Sequence, residues 1–400
     1  MKKAWFALTM ALLASGPVAA QGTGPGVKIG VLNDQSGMYA DLSGQGSVIA
    51  ARMAAEDFGG TVLGRPIEVV FADHQNKPDV GAAIAGRWYE AEHVDAIVDV
   101  PVSSVALAVQ EVARQRNRIV MFSAAGSSDL TGKSCSPMGT QWAFDTVALA
   151  KGTASAVTRS GGDTWFFLTA DYAFGTAMEA DARRTIAQAG GTVVGGVRHP
   201  QGTTDFSSFL LQAQASKAKV IGLANAGLDT TGAVLAAREF GIVAKGQRLA
   251  GLLIFLSDVH ALGLPVAQGL QMTESFYWDL NDGTRAWSQR FGARMGGRMP
   301  TMVHAGVYSA VTHYLEAIRA GGTADATVVA AKMRELPVHD AILDHATVRI
   351  DGRVVRPFYL FEVKAPADSH KPYDYYKLIR EIPPEEAARP LDEGACPLVK

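Results

Sequence analysis

Apolar runs of strand length alternate with longer amphipathic stretches along most of this chain, and that alternation restricts its fold more than any other feature. "VKIGVL" (27–32), "IEVVFAD" (67–73), "VDAIVDV" (94–100) and "RIVMFS" (118–123) have the near-continuous apolar character of strands buried on both faces. Between them, "SVIAARMAAEDFG", "VGAAIAGRWYEAEH" and "VALAVQEVARQR" place apolar residues at helical spacing with polar residues opposite. Strand and helix in this rhythm predict a parallel sheet covered on both faces. The grammar restarts at "TWFFLT" (164–169), "TVVGGVR", "KVIGLANA" and "LAGLLIFL", with helices expected near 175–190, 205–217 and 228–241. At 400 residues the chain is too long for one ordinary core, so two doubly wound α/β lobes are expected. The strand "MTESFYWDLND" then leads to helical patterns at 284–296, 301–321 and 325–335. A last strand pair, "ATVRIDG" and "RPFYLFEV", precedes a Pro-rich tail expected to be weakly structured. Each lobe is thus visited twice, which requires several connections between them.

The N-terminus, "MKKAWFALTMALLASGPVAAQG", sets two lysines before an apolar run that ends at Gly16-Pro17 and Val18-Ala19-Ala20. That is the pattern of a cleavable secretory signal over 1–20. The apolar run is short of the roughly 20 residues that span a bilayer. Net charge is −2 and no long basic run is present, so nucleic acid is not an expected partner. Export bears on the two cysteines, Cys135 in "TGKSCSPMG" and Cys396 near the end. An oxidising compartment permits one bridge between them, with two free thiols as the alternative. Gly44-x-Gly46 lacks the third glycine of a dinucleotide fingerprint, and no P-loop, nucleophile elbow, HExxH or CxxC occurs. The nine histidines are scattered, so no metal, cofactor or catalytic set is expected.

In doubly wound sheets ligands bind where the loops after the strands converge. "VDAIVDV" is followed by Pro101-Val102-Ser103-Ser104 and a helix. One serine can cap that helix; two hydroxyls and free N–H groups at a positive helix end also suit a carboxylate. "RIVMFS" is followed by Ala124-Ala125-Gly126-Ser127-Ser128, either a tight turn or a loop small enough to bring backbone N–H groups against a ligand. In the second series, "FLTADYAFG" ends a strand by giving Tyr172 and Phe174 to a loop, as an apolar wall or as packing under the next helix. "KVIGLANA" delivers Asn225 and then Asp229, a helix cap or an acceptor for a cationic group.

"VLNDQSGMYADLSGQG", "PVSSVALAV", "FSAAGSSDLT", "QWAFDT", "DYAFG" and "GVYSAV", in this order and separation, resemble the leucine/isoleucine/valine-binding type of periplasmic binding protein from Val27 to about Lys364. The resemblance implies two Rossmann-like lobes, joined by three crossovers, that close over a ligand. It also implies delivery to an inner-membrane ABC permease, a periplasmic location and no cofactor, and a monomer is expected. It assigns the carboxylate to Ser103 and Ser104 and to a backbone-donor loop at Ala124, Gly126 and Ser127. A pocket aromatic is assigned to Phe174, with Tyr172 two residues earlier, and the holder of a ligand amino group to Asp229 or its neighbourhood, Asn225 included. Two positions depart from the family pattern. The first-loop aromatic falls on Leu42, with Tyr39 close by, and the carboxylate-binding threonine falls on Gly126. "FFLTADYAFG", "TDFSSFLLQAQASKAKVIGLANAG" and the Cys396-Pro-Leu tail are similar to a branch linked to aromatic carboxylates, so an aromatic acid is the expected ligand. Branched-chain amino-acid binding is the alternative within the family, and an exported hydrolase the alternative outside it. The expected division is 27–145 plus 276–354 for the first lobe, 146–275 plus 355–385 for the second, and 386–400 for the tail.

Overall fold

A computed structural model describes residues 26–399; the signal sequence expected over 1–20 lies outside them. Six strands form the first sheet in the order β2-β3-β1-β4-β5-β6. They are β1 (Val27–Asn33), β2 (Thr61–Val62), β3 (Arg65–Asp73), β4 (Ala96–Asp99), β5 (Ile119–Phe122) and β6 (Gly139–Gln141). All neighbours pair in parallel except β2 with β3. Four parallel strands form the second sheet, β10-β9-β7-β8. These are β7 (Thr164–Ala170), β8 (Thr192–His199), β9 (Val220–Ala224) and β10 (Arg248–Gly251). The central strands β4, β5 and β9 are buried along their whole length, which their unbroken apolar runs require once helices cover both faces.

Two doubly wound lobes result, and the chain crosses between them after β6, after β11 (Gln271–Glu274) and after β13 (Val354–Val355). Helix Met302–Gly321, capped by Thr301 and His304, returns to the first lobe and packs on helix Gly44–Asp57. The crossovers bind one another. Arg353 Nε lies 2.6 Å from Asp145 Oδ2, both groups buried, and Arg353 Nη1 donates to the Gln141 carbonyl at 3.1 Å. Arg356 donates to the Ser275 carbonyl at 2.7 Å, and the Thr153 and Thr273 hydroxyls meet at 2.8 Å.

Three expectations differ from the structure, and β6 was not expected at all. "LAGLLIFL" is strand only to Gly251; a helix begins at Leu256, with Asp258 accepting the Phe255 N–H, because an apolar run alone does not separate strand from buried loop. "ATVRIDG" and "RPFYLFEV" do not pair. Short β12 (Thr347–Val348) pairs with β13, and β14 (Phe358–Val363) lies between β11 and β15 (Tyr376–Ile382) in an antiparallel sheet. The tail region is therefore ordered. β15 was hidden because its middle five residues are all exposed, so no apolar alternation marks it. β6 is only three residues long and carries no strand pattern.

Beyond β15 the chain passes the helix after the first crossover and returns to the first lobe. Lys151 donates to the Ala388 carbonyl, Arg349 to the Arg389 carbonyl and Arg389 to the Ser128 carbonyl, at 2.6, 2.8 and 3.2 Å. Cys396 is then bonded to Cys135 across 261 residues of sequence. Replacing both cysteines by serine removes that constraint on the unfolded chain and is expected to cost about 2–5 kcal/mol of stability. Urea unfolding of the double variant checks this; an unchanged midpoint would contradict it.

Candidate functional site

The loops that follow β1, β4 and β5 meet those that follow β7, β8 and β9. In the first of them, Asp34 organises the backbone. Its carboxylate accepts the N–H groups of Gly37 at 2.6 Å and Tyr39 at 2.9 Å and the Asn76 amide at 2.7 Å. So held, Tyr39 reaches the second lobe, where its hydroxyl lies 3.0 Å from that of Tyr172 and accepts from Gln201 Nε2 at 3.0 Å. Gly227 makes this approach possible. At φ 59° it adopts a conformation open mainly to glycine, and a Cβ there would sit 2.9 Å from the Met38 carbonyl and 3.0 Å from the Tyr39 ring. Leu42 is buried, and its carbonyl accepts from Thr301 at 2.9 Å.

Strain marks the turn after β4. Asp99 and Val100 both have positive φ, 88° and 51°, and a β-branched residue there is costly. Asp99 is fixed by Ser43 at 2.7 Å and Asn33 at 2.9 Å, and the turn leads into helix Ser103–Gln115. Neither serine caps this helix, because Val102 occupies the cap position and makes no side-chain bond. Ser103 instead ties two loops together, its hydroxyl accepting the Ser127 N–H at 3.1 Å. The half-buried Ser104 hydroxyl has no partner among the described residues. The Ala124 N–H is directed at the Asp99 carbonyl at 3.5 Å, whereas that of Gly126 has no partner among the described residues. Ser127 caps the short turn Ser128–Thr131 by accepting from Asp129.

Gly126 sits beneath two rings. A Cβ on it would lie 2.7 Å from Phe144 and 2.9 Å from Phe174, the latter carried by helix Ala173–Gln188 of the second lobe. Phe174 is buried, and its ring centroid lies 6.0 Å from that of Tyr172. Phe144, in turn, meets Phe255 edge to face at 5.9 Å. An aromatic wall from the second lobe thus rests on the small-residue loop of the first.

Asp229 does not cap its helix; Gly227 is the cap residue and Asp229 lies in the first turn. Its carboxylate is buried and accepts the Gly202 N–H at 3.1 and 3.2 Å. Burial pushes its pKa up to about 6, against the pull of the Gly202 and Thr203 N–H groups. Asn225 is occupied within its own lobe, where its amide nitrogen donates to His199 Nε2 at 3.1 Å and its oxygen accepts from Thr230 at 2.8 Å. Sequence reasoning missed His199, Gln201 and Phe144. The first two end or follow an edge strand with no motif around them, while Phe144 stood inside the quoted "QWAFDT". A cavity of about 440 Å³ lined by Val234, Leu249 and Leu270 lies away from these loops and shares no residue with them. Among the described residues no group of His, Cys, Asp and Glu could hold a metal ion, and no helix is long and apolar enough to cross a membrane.

A family model described as periplasmic binding protein matches residues 26–370. The crystal structure of a periplasmic binding protein from Burkholderia mallei is 47% identical and superposes with a TM-score of 0.92, covering 94% of this chain and 99% of that one. A branched chain amino acid ABC transporter periplasmic ligand-binding protein from Burkholderia xenovorans LB400 is 41% identical, TM-score 0.84, covering 94% and 100%. The Leu/Ile/Val-binding protein homolog 6 of Brucella melitensis is 30% identical over 242 residues, 59% of this chain. The match spans 61% of that curated relative's length.

Two outcomes follow from the packing and the charge. Gly126→Ala drives a methyl group into Phe144 and Phe174 and is expected to cost about 1–3 kcal/mol, with Phe174→Leu in the same chain recovering part of it; urea unfolding of the single and double variants measures both. Asp229 binds its proton more tightly folded than unfolded, so the native state holds the extra proton between about pH 4 and 6. Stability therefore falls as pH rises through that window and stays lowered above it. Asp229→Asn is expected to remove this slope and to gain stability at pH 7.5 but not at pH 4; parallel slopes for the two proteins would refute the assignment.

Proposed function

The chain belongs to the periplasmic binding protein family, and from that premise we propose that it is the periplasmic solute-binding component of an ABC importer. It captures a small carboxylate, an aromatic acid by preference, between its two lobes and presents it to an inner-membrane permease. Ser104 and the Gly126 N–H receive the carboxylate, and Phe174, Tyr172 and Phe144 cover the ring. Binding shifts the population toward the closed form because the ligand touches both lobes only there. The protein is not an enzyme, acts in the periplasm as a monomer, and divides at 27–145 plus 276–354, 146–275 plus 355–385 and 386–400.

One observation carries the choice of ligand class. Asp229, the group that would pair with an α-ammonium, is already engaged by the Gly202 N–H, and burial pushes its pKa up to about 6. A carboxylate that already accepts a backbone N–H on both oxygens offers an ammonium less than an unengaged one, while the rings beside Gly126 suit a planar apolar body. The description of the 41% identical Burkholderia xenovorans protein favours a second reading, a branched-chain amino acid.

A thermal-shift screen of benzoate-type acids against amino acids decides between them, since a tight ligand raises the unfolding temperature by mass action. With benzoate, Phe174→Ala is expected to weaken binding by about 3 kcal/mol, roughly a hundredfold, and Asp229→Asn to change it by less than about threefold. Tight leucine binding that collapses in Asp229→Asn, with benzoates ignored, would replace the aromatic acid by the amino acid. Conversion of the bound compound on prolonged incubation would instead point to a hydrolase.

A further inference from the structure

Asp181 is a buried carboxylate on helix Ala173–Gln188 of the second lobe, yet two of its partners are not in that helix. Its Oδ2 accepts from the Ser128 hydroxyl at 2.8 Å and from the Thr146 hydroxyl at 2.5 Å; its other oxygen pairs with Arg184 one turn on. The ring of bonds closes, because the Ser128 N–H also donates to Thr146 Oγ1 at 3.2 Å. Ser128 belongs to the first-lobe loop that continues from Gly126 and Ser127, and Thr146 stands at the first crossover. The Thr146 N–H holds the carbonyl of Gly126 itself at 2.8 Å. Asp181 lies seven residues, about two helical turns, beyond Phe174, so both side chains leave the same face of one helix. That face meets the small-residue loop twice, with a ring over Gly126 and with a carboxylate under Ser128.

We infer that Asp181 is a positioning residue that makes the register of the small-residue loop depend on closure of the second lobe. The inference rests on the proposed function for its ligand arm but not for its structural arm. When the lobes part, helix Ala173–Gln188 withdraws its carboxylate and Ser128 loses its acceptor. When they close, Asp181 Oδ2 accepts the Ser128 hydroxyl and Thr146 Oγ1 accepts the Ser128 N–H, fixing the segment 126–128 from below while Phe174 fixes it from above. The loop offers the Gly126 N–H in its binding geometry only in that state. Asp181 itself touches no ligand. Burial pushes its carboxyl above the usual carboxylate range, against the two hydroxyls and Arg184, so releasing it to water favours opening unless both bonds are made.

Small-angle X-ray scattering of the unliganded full chain reads this without knowledge of the ligand. Ser128→Ala and Asp181→Asn are each expected to raise the radius of gyration, and the double variant to raise it no further than the larger single effect. Ser128→Ala removes one hydroxyl and leaves the Thr146 and Arg184 contacts in place, so it carries the test if Asp181→Asn does not fold. For the ligand arm the probes are benzoate and L-leucine. Whichever stabilises the wild type is expected to dissociate about tenfold faster from each variant, with association unchanged. Unchanged scattering in the folded variants, or single effects that add in the double, would overturn the coupling. A lowered unfolding temperature with wild-type radius and wild-type dissociation would equally reduce Asp181 to a structural residue. If neither probe binds the wild type, the proposed ligand classes fail while the scattering still decides the role of Asp181.

Discussion

Arg353 and Asp145 form a buried ion pair at the point where the first and third crossovers lie side by side, and the geometry of everything between the lobes depends on it. Removing both charges from water costs more than their attraction returns unless further hydrogen bonds complete the set. Here they do. Arg353 also donates to the Gln141 carbonyl, and Asp145 accepts the Ala148 N–H at 2.7 Å as the cap of the next helix. Such a pair contributes little net stability but specifies one arrangement, since a half-made pair in this place is strongly unfavourable. The helix that Asp145 caps runs from Thr146 to Arg159 with a π turn at Ala150–Ala154, a local widening common at functional positions. Thr153 in that turn holds Thr273 of the second crossover, so all three connections are cross-linked by polar contacts in a buried joint.

With the joint fixed, the two faces of the cleft have different chemistry for a physical reason. The first lobe presents short side chains and N–H groups because the loop after β5 is built of Ala, Gly and Ser, beside a strained turn after β4 that the Asp99 network holds. The second lobe presents rings because its strand β7 runs directly into helix Ala173–Gln188, whose first turn carries Phe174. The covalent link from Cys396 to Cys135 then ties the end of the chain, which comes from the second lobe, back to the first. Opening must therefore bend three crossovers and accommodate a fourth, bonded segment.

The lobes and most of their strands were legible because buried parallel strands leave unbroken apolar runs, as at 96–99, 119–122 and 220–224. Two of the failures share one cause. At "LAGLLIFL" the apolar run continues past the strand into a loop buried for other reasons, and at "YKLIREI" the strand lies at a sheet edge with exposed residues on both faces. Periodicity reports burial, and burial and strand coincide only inside a sheet. At the site, position was legible but partnership was not. Ser103, Asn225 and Asp229 are where the strand-end rule puts them, yet each spends its polar atoms on a neighbouring loop. Those partners lie 24 to 27 residues away in sequence, and no local pattern announces them.

The glycine at 126 and the phenylalanine at 174 are best understood as one feature. A side chain at 126 and the ring at 174 compete for the same space, since even a methyl group would come within 2.9 Å of the ring. A hydroxyl-bearing residue at 126 would supply another polar contact but would hold the ring, and with it the helix of the second lobe, further out. With glycine, the backbone N–H is the donor that remains, and the ring comes down onto it. That exchange trades a polar contact for apolar area and excluded water. The same close approach brings Asp181, two turns along the helix, within reach of Ser128 and Thr146. The absence of a side chain at one position in the first lobe thus permits a buried polar contact between the two lobes.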